Sequence, residues 1–356
     1  MFGPQKKSAI AIEARWSMRS PARLSVQTIL VVALAVLSVG TSTAHHSGAQ
    51  YDRSVIIEKE ATVVRFDFRN PHAYLIVSDS DDVAWEVEMI SAVRLRRAGW
   101  NAESFASGDR LTFRAIANRN PQKHRVRLRS LTFADGEVFD LAQPEDNSAE
   151  PNSFAVASSL EGVWGTDPDT FDGINHSITN YPLTSKGQQA KESFDDTLDP
   201  VANCTSWPIP QLAIVSSLYP MKFELSDDKV VIRYEFFNTV RTVFMDGRDH
   251  PTDAPRAIQG HSIGHWEDEV LVIDTRLFAD HRSPFLFDGV PSGPGRHVIE
   301  RYRLSEDGTY ATASYFVEDS EYLAEPLQFD LKLRYRPNFE LQDNACDPEI
   351  AKRFIQ

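Results

Sequence analysis

The sequence predicts a mainly β chain, an OB-like small barrel followed by a lipocalin-like antiparallel β-barrel or curved meander sheet. Three observations carry that expectation. Apolar and polar residues alternate at period two through most of the chain. Turn-forming Asp, Asn and Gly recur at short intervals between those runs. Helical composition is confined to short stretches near 91–99 and 185–193.

In the first half, Val64, Phe66 and Phe68 alternate with Arg65, Asp67 and Arg69, the pattern of a half-buried strand over 61–69. Asn70-Pro71-His72 makes a turn, and 73–77 and 83–89 follow as strands. Residues 91–99 set Val93, Leu95 and Ala98 against Arg94, Arg96 and Arg97, a short amphipathic helix ended by Gly99. Strands then follow at 110–116 and 126–133, with a pairing segment near 138–141. Three strands, a helix and two strands is the element order of an OB-fold, whose binding face is flanked by the loops that here carry His72 and His124. A plain α+β sheet is the competing arrangement.

Residues 143–158 are rich in Pro, Asn, Ser and acids and have linker composition. From 159 to 356 the expectation is antiparallel β. The strands are 160–164, 221–225, 230–236, 239–245, 262–266, 270–275, 298–304, 310–317 and 329–335, with a helix at 185–193. Turn residues such as Asp227-Asp228-Lys229 and Asp307-Gly308 join neighbours, so a meander that closes on itself is expected. Phe285-Leu286-Phe287 falls in a loop that would make an apolar lid.

Residues 29–40 form an apolar core preceded by Arg19 and Arg23 and followed by Ser42-Thr43-Ala44, with small residues where signal peptidase requires them. About 12 apolar residues are too few to span a bilayer as a helix. The expectation is a signal peptide over 1–44, cut after Ala44, with Met18 an alternative start, and a periplasmic or secreted product with no integral membrane segment in the mature chain. The net charge is −14, and residues 144–356 carry about −18 of it, because 45–143 balance at fourteen charges of each sign. Nucleic acid and anionic membrane are excluded as partners, since both demand phosphate neutralisation by Lys and Arg. Hydrophobic content of 42% excludes general disorder. Cys204 and Cys346 are the two cysteines; in an oxidising compartment such a pair is most simply a disulfide, with two buried thiols as the alternative.

His45-His46-Ser47, Tyr51-Asp52, Asn70-Pro71-His72-Ala73 and Leu95-Arg96-Arg97-Ala98-Gly99-Trp100 together resemble a family of small exported bacterial proteins of unknown function, over roughly residues 45–142. The second half is similar to another uncharacterised exported family, over roughly residues 155–346. The motifs are Met245-Asp246-Gly247-Arg248-Asp249-His250-Pro251, Gly260-His261-Ser262-Ile263-Gly264-His265-Trp266-Glu267, Leu271-Val272-Ile273-Asp274-Thr275, His297-Val298-Ile299-Glu300-Arg301 and Val317-Glu318-Asp319. The chain departs from that family at Glu267-Asp268-Glu269-Val270, where Glu-Gly-Asp-Thr is usual. Neither resemblance implies a reaction.

Two candidate sites follow from the residues. An N-terminus beginning His45-His46 offers an amine, an amide and two imidazoles, a nitrogen set that suits copper, with His72 as a further ligand. In the C-terminal half, Asp246, Arg248, His250, His297 and Glu300 are the candidates for a rim that binds a small apolar or amphipathic ligand inside the barrel. As an alternative, the same cavity would house acid–base chemistry (isomerisation, dehydration or hydrolysis), with His297 or His250 as base and Asp246 or Asp274 as its partner. The competing structural reading is that Asp246 and Arg248 staple a turn. No nucleophile elbow, H-E-x-x-H, P-loop or dinucleotide fingerprint is present.

Overall fold

The structure is a computed structural model and describes residues 50–141, 155–170, 181–194, 199–285 and 290–355. The expected signal peptide, His45 and His46, and residues 143–154 of the expected linker lie outside the described residues.

The long strand β1 (Tyr51–Asp67) pairs antiparallel with β2 (Tyr74–Asp79) on one side and β4 (Arg110–Asn118) on the other. β2 pairs with β3 (Ala84–Glu88), and β4 with β5 (Arg125–Phe133). A parallel contact of Glu86, Val87 and Glu88 with Arg125, Val126 and Arg127 joins β3 to β5 and closes the ring β1-β2-β3-β5-β4. That is the OB-like connectivity the element order implied. β6 (Val138–Asp140) extends β5. The helix α1 (Ala92–Arg97) buries Val93 and Leu95, and Leu95 joins a core of Val63, Leu75, Val77, Val87, Phe113 and Leu131.

The second body is a closed nine-strand barrel. Its strands are β7 (Gly162–Thr166), β8 (Met221–Leu225), β9 (Lys229–Tyr234), β10 (Thr239–Phe244), β11 (His261–Glu267), β12 (Val270–Arg276), β15 (His297–Leu304), β16 (Tyr310–Glu318) and β17 (Leu327–Tyr335). Alternate residues face inward: Leu271 and Ile273 on β12, Val298 and Tyr302 on β15, Ala313, Tyr315 and Val317 on β16 all belong to one buried cluster. Trp164 is fully buried and donates its indole N–H to Leu160 O at 2.8 Å. Two features depart from a simple meander. β10 and β11 pair in parallel, Val243 with Ser262 and Phe244 with Ile263, because residues 245–260 form a crossover that returns the chain to run in the same direction. Between β12 and β15, β13 (His281–Phe285) pairs with β14 (Val290–Ser292), which puts Phe285 at the end of a strand, while Leu286 and Phe287 of the expected apolar loop lie outside the described residues.

The β11–β12 turn forms without the usual glycine. Asp268 takes the left-handed conformation, φ 52°, which Asp tolerates better than most residues. A short helix, α2 (Ser185–Glu192), is capped by Thr184, whose side chain accepts from Gly187 N. Two single-turn helices follow among the described residues, α3 (Gln211–Ile214) and α4 (Pro348–Ala351).

Cys204 and Cys346 form a disulfide, with their Cα atoms 5.5 Å apart. The segment around Cys346 crosses to the first body: Asp347 N donates to Asn70 O at 2.9 Å, and Arg69 pairs with Asp347 at 2.9 Å. Farther along, Arg353 reaches Glu86 at 3.0 Å and Asp67 at 2.9 Å. From the other direction Arg97 of α1 pairs with the buried Glu235. Among the described residues no helix is long and apolar enough to cross a membrane.

Candidate functional site

Four adjacent strands present one row of polar side chains on the outside of the barrel wall. The register sets His261 opposite Arg276, Asp274 opposite Ile299, and His297 opposite Glu318. All of these have the parity opposite to the core-facing residues, so they point outward. His250 arrives from the 245–260 crossover. Gly260 ends that segment with φ +66°; a Cβ there would lie 2.5 Å from Arg276 O, so only glycine lets the chain turn tightly into His261.

The contacts form a chain. His261 Nδ1 lies 2.9 Å from His250 Nδ1. His250 Nε2 lies 3.0 Å from Asp274 Oδ1, and His297 Nε2 lies 3.0 Å from Asp274 Oδ2. His297 Nδ1 is 3.1 Å from Glu318 Oε2 and 3.2 Å from Arg276 Nη2. An ionised carboxylate only accepts, so both Nε2 atoms that meet Asp274 carry hydrogen. One hydrogen bridges the two Nδ1 atoms: it belongs to His261 when His250 is neutral and to His250 when His250 is protonated. The side chains of His250 and His297 are 15% and 10% exposed, enough for contact with solvent but sheltered from most of it.

The environment separates the two ends of this chain. Burial, and then the charge of His250 and Arg248, holds His261 below the ordinary imidazole pKa. The hydrogen bond to Asp274 raises His297; burial opposes this, and Glu318 reinforces it. At Asp274 burial favours the neutral acid, but hydrogen bonds and charge from His297, with His250 and Arg276, outweigh it and hold the carboxyl below its usual value. One connected set thus holds an imidazole biased toward its neutral form, His261, and one biased toward the cation, His297.

The remaining candidates extend or leave this row. Arg248 binds Asp246 through Nε at 2.8 Å and lies 4.0 Å over the Phe244 ring, which in turn stacks with His261 at 5.2 Å. Asp246 and Arg248 thus do make the turn staple, and the staple abuts the histidines. Glu300 faces the opposite way. It lies inside the barrel, fully buried, where Arg241 grips it with both terminal nitrogens, one at 2.9 Å and the other at 2.5 Å. Arg241 also donates to Ser262 and Thr275, and Tyr302 donates to Glu300 at 2.8 Å. Glu300 therefore shares a strand with His297 but no site.

In the first body, His72 Nδ1 lies 2.7 Å from Glu88 Oε1, and Tyr51 donates to Glu88 Oε2 at 2.6 Å. Glu88 is fully buried. Its desolvation would favour the neutral acid, but His72 and then Tyr51 hold its pKa below the ordinary value. His124 instead packs against Trp85 with the rings tilted by 34° and their centroids 4.7 Å apart. Among the described residues no group of three or more His, Cys, Asp or Glu side chains is placed to hold a metal ion.

Sequence reasoning brought Asp246, Arg248, His250, Asp274 and His297 forward and missed His261, Arg276 and Glu318 as site residues and Arg241 as the buried partner of Glu300. His261 and Glu318 stood inside the quoted motifs, and strand register supplies the link: His261 faces Arg276, and Glu318 faces His297. Arg241 was visible as a lone cation in an otherwise apolar and hydroxylated strand. In comparisons with known proteins, no curated protein matches the chain. Residues 33–127, which take in the first body from β1 to the start of β5, match the model of a family of unknown function, DUF6152, and are in that stretch similar to an uncharacterised domain.

Proposed function

We propose that the outer wall of the nine-strand barrel is an acid–base site in which His261 takes up a proton and His297 delivers one. The observation that carries this reading is the single carboxylate of Asp274, shared by the Nε2 atoms of two histidines at 3.0 Å each. A carboxylate in that position fixes both rings and stabilises charge on either, the role such a group plays in hydrolases, isomerases and dehydratases. His250 connects base to carboxylate, so a proton gained at His261 is felt at Asp274. A small molecule inside the barrel would have to displace Tyr302, Tyr315 and the Arg241–Glu300 pair, which already occupy it. The partly exposed outer wall is the better-supported place for a small-molecule partner.

The test is hydrolysis of p-nitrophenyl acetate by the purified chain against its Asp274→Asn, His261→Gln and His297→Gln variants. The proposal expects each to lower kcat/KM by at least about tenfold, within the range for lost general acid–base catalysis. Equal rates for all four proteins would remove it.

A copper-binding role for His45, His46 and His72 draws support from one contact: Glu88 fixes the His72 ring, as outer carboxylates orient metal-ligating imidazoles. Export through residues 1–44, with cleavage after Ala44 and residence in the periplasm or outside the cell, is also proposed. The Cys204–Cys346 disulfide supports it, since such bonds persist in oxidising compartments. The division into 45–142, a 143–158 linker and 159–356, and kinship of the second half with an uncharacterised exported family, complete the proposal.

A further inference from the structure

We infer that Glu318 and Arg276 are opposed positioning residues that compete for Nδ1 of His297 and thereby set whether that ring carries one proton or two. The argument begins at Nε2, which is committed to Asp274 Oδ2 and always holds its hydrogen. The ring's remaining freedom lies at Nδ1. That atom meets Glu318 Oε2 at 3.1 Å and Arg276 Nη2 at 3.2 Å. An ionised carboxylate accepts and cannot donate; a guanidinium donates and cannot accept. A protonated Nδ1 therefore pairs only with Glu318, and a bare Nδ1 only with Arg276.

The two states are exclusive, and each leaves the displaced group another partner or solvent. Arg276 also reaches Asp274 Oδ1 through Nε at 3.4 Å, so it keeps a carboxylate when Nδ1 turns to Glu318. Glu318 and Arg276 are 48% and 50% exposed at their side chains, free to swing away without leaving an unsatisfied buried charge. The charged and titratable groups that meet the ring are Asp274 and Arg276 from β12 and Glu318 from β16, with His250 acting through Asp274 from the crossover. Glu318 favours the imidazolium and Arg276 disfavours it. Their balance decides how much of the chain holds the proton donor at a given pH. That consequence for chemistry rests on the acid–base reading; the competition itself does not.

The experiment is a pH titration of the His297 ring by ¹⁵N NMR in the full chain, the signal being assigned by its loss in His297→Gln. Glu318→Gln should lower the His297 midpoint by roughly half to one pH unit, and Arg276→Gln should raise it by a similar amount, as expected for removal of one neighbouring charge. Both replaced side chains are half exposed, so the fold should tolerate the changes. Opposed shifts support the inference; midpoints that stay put, or that move in the same direction, overturn it. The titration reads no catalysis. Opposed shifts in a chain that turns over no ester would retire the acid–base reading and keep this one. Unmoved midpoints beside Asp274-dependent turnover would do the reverse.

Discussion

On β11, β12 and β15, Ser262, Thr275 and Glu300 face the barrel interior, while His261, Asp274 and His297 face outward. The inner set gathers around Arg241 and is almost wholly removed from water, with Arg241 and Glu300 1% and 0% exposed at their side chains. The outer set is a line of imidazoles around one carboxylate that is 33% exposed. Both use the same elements and much the same chemistry, an acid gripped by nitrogen donors. Position relative to solvent divides them. The inner carboxylate is held by both terminal nitrogens of a guanidinium that does not give up its proton, so it can only hold the wall together. The outer carboxylate is shared by imidazoles, which unlike a guanidinium can gain and lose a proton on the ring, so it sits where protons can move.

Mutations on the two faces should separate accordingly. The largest loss is expected from Glu300→Gln, which strands the Arg241 charge in the core and should cost about 3–5 kcal/mol in denaturant unfolding. Replacing both partners together, Arg241→Met with Glu300→Leu, should recover most of that loss. Ser262→Ala removes the partner of Arg241 Nε and should cost about 1–3 kcal/mol, whereas the neighbouring His261→Gln should cost less than about 1 kcal/mol. Asp274→Asn should also stay within about 1–2 kcal/mol while abolishing most ester turnover. If Asp274→Asn destabilised the chain as severely as Glu300→Gln, the distinction between the two faces would collapse.

The smallest effect is a pH dependence. His297 is raised above its ordinary value of 6.5, so its stabilising contribution is complete below that value and is lost as pH rises through the higher folded value. Asp274 is lowered below 3.8, so its contribution is present above 3.8 and is lost as pH falls through the lower folded value. The stability difference between the wild-type chain and His297→Gln should therefore be greatest between 3.8 and 6.5 and shrink on the alkaline side. A difference that grows with alkaline pH would contradict the placement of the proton.

Strand positions were legible because alternation is local: β8, β12 and β16 fall where period two puts them, within a residue or two at their ends. The OB-like order was legible for the same reason. The parallel β10–β11 pairing was not, since nothing within Thr239–Phe244 states which way the next strand will run. At the site, Asp274 and His297 could be nominated by residue type, but their union depends on antiparallel register between β12 and β15. Alternation did show that His297 and Glu300 point to opposite faces. It could not show which faces the core, because that depends on how the barrel closes. His261 was obscured by its motif, where Ser262 and Gly264 drew equal notice; only the crossover brings His250 onto it.

The most direct test of the central claim is the ring ¹⁵N spectrum of the wild-type chain near neutral pH, read for His261 and His297 together. The account predicts that His297 remains an imidazolium at a pH where His261 is already neutral, with both titrations displaced in opposite directions from 6.5. Two histidines that titrate together at the ordinary imidazole value would mean that Asp274 links nothing, and that the outer row is a surface like any other.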